Sequence, residues 1–242
     1  MSNNLPTFGK YNLHARLYPG LLMALPVTVL VFPLIPSPTA ATMVPLLASS
    51  GVLLLVVHQV RSLGIKTENR IMKKCGGMPT TRRLRLRNAT NPTLLTRRRN
   101  KLETLYGQSL PDAEMERADS VAADEIYADA THRLITKVRQ NQEKFPLVQE
   151  EVTNYGFRRN LLGVKWFAIS LAIACMLTDG LFGYFTVVSP HIVATAGFHF
   201  MYLLTILLVV KDSWVLEVGE RYADRLFEAL DAMDGLPSHS AG

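Results

Sequence analysis

Apolar residues collect in two blocks, residues 17–60 and 164–210, on either side of a polar segment. Each block holds two stretches that could cross a hydrocarbon core of about 30 Å, which takes roughly 20 helical residues. Only short linkers, residues 36–42 and 189–190, separate the two stretches of each block. The pattern therefore predicts two transmembrane hairpins with four spans, at Leu17–Ile35, Met43–Val60, Val164–Val188 and His191–Val210.

The remaining residues show helical periodicity. Asn91 and Pro92 fit the N-cap and first turn of a helix that Gly107 ends. Apolar positions at steps of three and four predict a second, longer helix over Pro111–Lys144 and a continuation of the fourth span beyond Lys211. The predicted fold class is all-α, with a cytoplasmic N-terminus (1–16), a transmembrane hairpin (17–60), a basic helical cytoplasmic domain (61–163), a second transmembrane hairpin (164–210) and a cytoplasmic C-terminal helix and tail (211–242).

The distribution of Lys and Arg residues predicts how the spans are oriented in the membrane. Of the 26 Lys and Arg residues, 21 lie between Arg61 and Lys165, although the mean hydropathy of the whole chain is +0.14. Cytoplasmic segments of membrane proteins carry an excess of Lys and Arg, so we expect this basic segment to be cytoplasmic. Both termini then lie in the cytoplasm as well.

Two ionisable residues lie inside predicted spans. Asp179 and His199 are each about ten residues from the turn at Ser189, which at 1.5 Å per residue places them at comparable depth on neighbouring helices. A charged side chain near mid-membrane costs on the order of 3 kcal/mol, so it needs a partner or a polar cavity. Two hypotheses stay open: a water-filled path, or a structural hydrogen bond between these two helices or to Thr178. Pro26 and Pro33 in the first span should also free backbone carbonyls that neighbouring helices or water must satisfy, so we expect a kink there to lie against protein.

A basic strip follows the second span and allows three interpretations. Its Arg and Lys side chains could contact lipid headgroups, bind a phosphate-bearing ligand such as a nucleotide or an oligonucleotide, or bind a protein partner. Arg83, Arg85 and Arg87 alternate with leucines, which would place these cations on one face of an extended segment. The strip comprises Arg82, Arg83, Arg85, Arg87, Arg97, Arg98, Arg99 and Lys101.

The sequence gives no sign of catalysis. It contains no Walker loop, no GxGxxG after a strand, no HExxH, no paired CxxC and no nucleophile elbow. The six histidines lack the spacing of metal ligands. We therefore expect neither an enzyme nor a cofactor or metal site.

The run Ala122–Lys165, less than a fifth of the chain, resembles a bacterial family of four-span membrane proteins. The shared element is Tyr-Gly-Phe-Arg-Arg-Asn before the third span, and we expect Tyr155, Phe157, Arg158, Arg159 and Asn160 at the membrane surface. The architecture is similar to membrane effectors of anti-phage systems, such as the Hailong channel, in which a soluble part senses a nucleotide or oligonucleotide signal. The resemblance implies a role in defence.

Three functional hypotheses follow. The first is an oligomeric pore or ion channel whose cytoplasmic domain controls opening, since four spans enclose no wide path and several copies, a tetramer for instance, would have to surround one. The second is a non-conducting anchor that recruits a soluble partner. The third is a proton-coupled transporter built around Asp179 and His199. All three place the chain in a bacterial inner membrane, in contact with lipids.

Overall fold

In a computed structural model of the chain, residues 10–31 and 52–233 are described, and these residues form helices and connecting turns without a β-strand. A single π-helical turn, Leu13–Leu17, joins the first two α-helices, and 3₁₀ turns occur at Leu86–Asn88 and Gln142–Lys144. The α-helices are α1 (Lys10–Asn12), α2 (Tyr18–Val31), α3 (Val52–Lys74), α4 (Pro79–Arg82), α5 (Pro92–Tyr106), α6 (Ala113–Ala118), α7 (Ser120–Gln140), α8 (Pro146–Phe185), α9 (Pro190–Val209) and α10 (Asp212–Ala232). The predicted all-α class is confirmed for the described residues.

The chain divides into two compact units. The first unit comprises Met1–Ile71 and Thr153–Val215, and the second comprises Met72–Val152 and Leu216–Gly242. Because α3, α8 and α10 each cross a unit boundary, these helices contribute residues to both units.

Three helical segments of the first unit are long and apolar enough to cross a membrane, as expected for a multi-pass membrane protein. They are Leu13–Val31, Lys165–Phe185 and Pro190–Val209, and they match the predicted first, third and fourth spans. In the predicted second span, Met43–Val60, residues 43–51 lie outside the described residues, and residues 52–60 begin α3.

The second unit has a continuous hydrophobic core. Tyr127 and Leu134 of α7 pack with Leu102 of α5 and with Leu226 and Leu230 of α10, and all five side chains are fully buried. At 25 cal/mol per Å² of apolar surface, burying a leucine side chain stabilises a fold by roughly 1.5–3 kcal/mol. The apolar stripes of α7 and α10 thus form a single core.

The predicted helix caps of α5 are confirmed. The Asn91 side chain accepts a hydrogen bond from the Leu94 N–H, Pro92 occupies the first turn, and Gly107 follows the helix with a φ of 62°. A positive φ is a conformation that glycine adopts without steric cost, and the Gly107 N–H donates a 2.8 Å hydrogen bond to the Glu103 carbonyl at the end of α5.

Three predictions about the helices and the basic strip were wrong. Asp119 interrupts the long helix predicted over Pro111–Lys144, because its side chain caps the N-terminus of α7. The fourth span ends at Val209 and α10 is a separate helix. The segment with Arg83, Arg85 and Arg87 is not extended but turns from α4 into a 3₁₀ helix, so Arg85 is buried while the other two are exposed.

Candidate functional site

Asp179 of α8 and His199 of α9 meet inside the predicted membrane region. Asp179 Oδ2 lies 2.6 Å from His199 Nδ1, and the side chains are 4% and 0% exposed. The hydroxyl of Thr195 donates a 2.9 Å hydrogen bond to Asp179 Oδ1. The predicted alternative partner, Thr178, instead donates to the Ala174 carbonyl of its own helix. Each carboxylate oxygen of Asp179 therefore has a partner within the same chain.

A third helix completes this network. His199 Nε2 lies 3.0 Å from the backbone carbonyl oxygen of Pro26 in α2. A carbonyl oxygen only accepts hydrogen bonds, so Nε2 must carry a hydrogen. The contact between Nδ1 and Asp179 Oδ2 needs one further hydrogen, which either the imidazole or the carboxyl group carries. In both arrangements the pair has no net charge, so neither group is left as an uncompensated buried charge.

Pro26 also creates a second polar contact. Since proline has no N–H, the carbonyl of Leu22, four residues earlier, loses its partner within α2. The hydroxyl of Tyr202 in α9 donates a 2.8 Å hydrogen bond to that carbonyl. Of the two expected sources, a neighbouring helix satisfies the carbonyl freed by Pro26, and Pro33 lies outside the described residues. We refer to Asp179, His199, Thr195, Tyr202 and the backbone carbonyls of Leu22 and Pro26 as the intramembrane network.

The cations of the basic strip bond to residues of the second unit. Arg85 is 6% exposed and forms two hydrogen bonds of 2.6 and 2.7 Å with the Asp124 carboxylate. Arg99 is 7% exposed and donates to the Tyr127 hydroxyl and to the backbone carbonyls of Leu84 and Pro111. These two arginines hold the turn after α4 against α5 and α7.

An acidic face of α10 pairs with three other arginines of the strip. Arg82 bonds to Glu220, Arg83 bonds to Glu220 and to Asp224, and Arg98 bonds to Asp231 at 2.8 Å. Glu220, Asp224 and Asp231 are spaced by four and seven residues, which places them on one helix face. Of the remaining cations, Lys101 donates to the last carbonyls of α10, Arg87 pairs with Glu116, and Arg97 lies 3.6 Å from Asp231.

Glu116 is the most buried acid of the second unit's ion pairs. Its carboxylate accepts hydrogen bonds from the backbone N–H of Leu86 and Arg87 and from the Tyr127 hydroxyl. Burial alone would raise the pKa of Glu116, but these hydrogen bonds and the nearby Arg87 charge lower it below its ordinary value of 4.5. The stabilisation from Glu116 is therefore complete at neutral pH and is lost as the pH falls through the lowered pKa.

The Tyr-Gly-Phe-Arg-Arg-Asn element lies within α8 and packs against other segments of the first unit. The Tyr155 hydroxyl and Arg159 donate to the two carboxylate oxygens of Glu68, at 2.7 and 2.8 Å. Arg158 lies over the Trp214 ring and donates to the Trp214 carbonyl. Further contacts join Asn160 to the Ala15 carbonyl at 2.6 Å and Phe157 edge-on to Trp214.

No protein-family model, curated protein or solved structure matches this chain. The resemblance of residues 122–165 to a bacterial four-span family stays a prediction. Among the described residues, no group of three or more His, Cys, Asp or Glu side chains could hold a metal ion.

Several partners of these residues were not predicted from the sequence. Thr195 lies four residues before His199, so the two side chains share a helix face, and this spacing could have identified Thr195. The acidic face of α10 could have been recognised as complementary to the strip. By contrast, no spacing signal connects Glu68 or Trp214 to the Tyr155–Asn160 segment.

Proposed function

We propose that this chain is a multi-pass protein of a bacterial inner membrane that forms an ion channel as a homo-oligomer. Both termini and the basic domain lie in the cytoplasm in this proposal, with the second span formed at Met43–Val60. A single chain with this number of spans encloses no wide path, so several copies surround the pore.

One observation carries the proposal. The intramembrane network joins α2, α8 and α9 through an ionisable pair that a purely structural interface would not need. Replacing a buried ionisable pair by apolar residues is often neutral or stabilising, by about 1–4 kcal/mol. We infer that the network is retained because it can open. It acts as a latch that holds the three helices together in the closed channel.

The test compares two replacements of Asp179 in proteoliposomes. An amide at position 179 can still accept from Thr195 and donate to His199, so Asp179→Asn should keep the channel closed. Asp179→Ala removes both contacts, and we expect it to raise small-ion flux at least tenfold. Thr178→Ala is the matched control, because the Thr178 hydroxyl bonds only within α8.

Dye retention and a check that each variant is folded and inserted complete the test. A dye too large for a narrow pore should stay inside the vesicles, which separates an opened channel from a damaged bilayer. If no variant conducts ions while each remains folded and inserted, the channel proposal fails.

A non-conducting anchor is the second candidate. It is favoured by the eight cations of the basic strip, all of which contact acids, carbonyls or hydroxyls within the second unit. A polyanion would have to compete with five carboxylates: Glu116, Asp124, Glu220, Asp224 and Asp231. Control by a nucleotide or oligonucleotide, and with it a role in anti-phage defence, stays a prediction from the sequence.

A further inference from the structure

A cavity of about 350 Å³ lies in the second unit, at the end of α4, the start of α5 and one face of α10. Three arginines of the basic strip, Arg82, Arg83 and Arg98, line it together with Glu220, so these side chains have a net charge of +2. Ligand pockets usually have volumes of about 300–1,000 Å³. The cavity therefore has the size for a small molecule rather than for a polymer.

The carboxylate of Glu220 occupies a position that suits an anionic ligand. Arg82 bonds to one of its oxygens, and Arg83 lies 3.2 Å from the other. The Glu220 side chain is 35% exposed, so water can solvate this carboxylate once it leaves the two arginines. Ion pairs with this exposure contribute little to stability, which makes Glu220 a group that a more highly charged anion can displace.

The arginines also have donors that their present partners do not use. Arg82 donates through its two Nη atoms to the Cys75 carbonyl and to Glu220, but its buried Nε has no hydrogen-bond partner among the described residues. Arg98 donates to Asp231 through Nε and Nη2, and neither bond uses Nη1. Since a guanidinium group has five N–H donors, each of these arginines can bond to a ligand as well.

The N-terminus of α5 adds to the positive potential of the cavity. Asn91, the N-cap of this 15-residue helix, and Leu94 of its first turn both line the cavity. The N-terminal end of a helix carries a partial positive charge and commonly binds phosphate groups. Arginine in turn matches the oxygens of a phosphate through paired hydrogen bonds. The helix end and the three arginines thus favour the same type of anion.

The remaining wall of the cavity limits the class of ligand. None of the described residues that line it is aromatic, so a nucleobase would have no ring to stack on. Arg85 and Arg99 of the basic strip are buried in contacts of their own, and the strip therefore offers no continuous row of cations to a polynucleotide. A single phosphate group, free or carried by a small molecule, fits these properties.

We propose that the second unit binds one phosphate dianion, either free or as the phosphomonoester of a small molecule, which displaces the Glu220 carboxylate from between Arg82 and Arg83. Arg98 and the N-terminus of α5 provide further positive charge around the bound phosphate. The proposal goes beyond the channel proposed above and depends neither on ion conduction nor on membrane insertion.

The experiment is isothermal titration calorimetry on the full chain in detergent and phosphate-free buffer, with inorganic phosphate and glycerol phosphate as the two probes. We expect one site per chain, with an affinity that falls as salt is added. The probe that binds more tightly shows whether the ligand is free phosphate or a phosphomonoester. Glu220→Gln removes the competing charge and should tighten binding at least tenfold, whereas Arg83→Gln should weaken it at least tenfold. A folding defect would not tighten binding, so the two variants together exclude that explanation.

Two matched variants separate the site from general surface charge. Arg133→Gln removes another exposed arginine of the second unit, which pairs with Asp129 and does not line the cavity. Glu217→Gln removes an exposed acid of α10 that pairs with Arg221. Both variants should bind the probes as the unmodified chain does.

Three results would overturn the phosphate site: no binding of either probe to Glu220→Gln, equal affinities in Glu220→Gln and Glu217→Gln, or equal losses in Arg83→Gln and Arg133→Gln. A single-stranded oligonucleotide serves as a third titrant. If it binds more tightly than both probes and Arg133→Gln weakens it as much as Arg83→Gln does, the cations form a general polyanion surface and the proposal fails. Failure of the channel proposal gives a different pattern, in which vesicles show no ion flux but the phosphate probes still bind.

Discussion

The missing N–H of Pro26 has consequences for two other residues. It leaves the Leu22 carbonyl to the Tyr202 hydroxyl, and the Pro26 carbonyl itself accepts from His199. In a bilayer no water is present to satisfy a freed carbonyl, so a neighbouring helix must do so. The missing N–H of Pro26 thus explains why α9 presents the Tyr202 hydroxyl to α2, whereas the His199 contact is a separate one, made to the Pro26 carbonyl itself.

This explanation predicts the outcome of a double-mutant cycle. Tyr202→Phe removes the donor to the Leu22 carbonyl and should lower the free energy of unfolding by about 0.6 kcal/mol, the average for hydrogen bonds between membrane helices, and by no more than about 1.7 kcal/mol. In a Pro26→Ala background the new N–H of residue 26 bonds to Leu22, so the same substitution should cost less. Unfolding in mixed micelles measures both values.

Tyr184→Phe is the control for that cycle, because the Tyr184 side chain is 83% exposed. It should leave the free energy of unfolding unchanged in either background. Equal costs for Tyr202→Phe with and without Pro26 would contradict the explanation, since the hydroxyl would then stabilise the protein by some route other than the freed carbonyl.

At the scale of the helices, α3 and α8 are in backbone contact at Gly64 and Gly163. A Cβ atom on Gly163 would lie 2.6 Å from the Gly64 nitrogen and 2.7 Å from the Leu63 carbonyl carbon, closer than side chains approach a backbone. A Cβ atom on Gly156, seven residues earlier on α8, would instead meet side chains, at 2.8 Å from the Ala15 Cβ and 3.1 Å from the Tyr11 hydroxyl. Small residues at helix interfaces allow close packing in membranes.

Gly163→Ala should therefore destabilise the protein by about 1–3 kcal/mol, as overpacking does in other cores. Gly180→Ala is a matched control on the same helix, because a Cβ at Gly180 has no neighbouring atom within 4 Å. It should be neutral or stabilise α8 by up to about 1 kcal/mol, through the higher helix propensity of alanine. Thermal unfolding in detergent compares the two variants, and equal midpoints would contradict the close crossing.

These helix contacts also show what the sequence can predict. Apolar length predicted three of the spans, and the Asn91, Pro92 and Gly107 signals predicted both ends of α5. The depth count from Ser189 placed Asp179 beside His199, because both residues lie on helices joined by a short turn. The contacts of the Tyr155–Asn160 segment were harder to predict, because its partners Glu68, Ala15 and Trp214 are distant in sequence.

At the scale of the whole molecule, the distribution of charge and the lengths of the apolar segments constrain the membrane topology independently. The described residues contain three segments apolar enough to cross a membrane. Two spans at α8 and α9, joined by a short turn, would return the chain to the side from which it came. Whether the N-terminus lies on the same side as the basic segment therefore depends on one further span at Met43–Val60. An even number of spans puts both on one side, and an odd number separates them.

Site-directed labelling can determine whether the number of spans before the basic segment is even or odd. In a chain whose own cysteines are replaced, we expect a cysteine at Thr96 and a tag at the N-terminus to be protected in intact cells and exposed in inverted vesicles. A cysteine at Val187, which is 90% exposed between α8 and α9, should react from outside. The physical reason is the 21 Lys and Arg residues between Arg61 and Lys165, whose transfer across an energised membrane is opposed by the potential. An N-terminal tag accessible from outside, with Thr96 protected, would contradict the second span while leaving the hairpin of α8 and α9 intact.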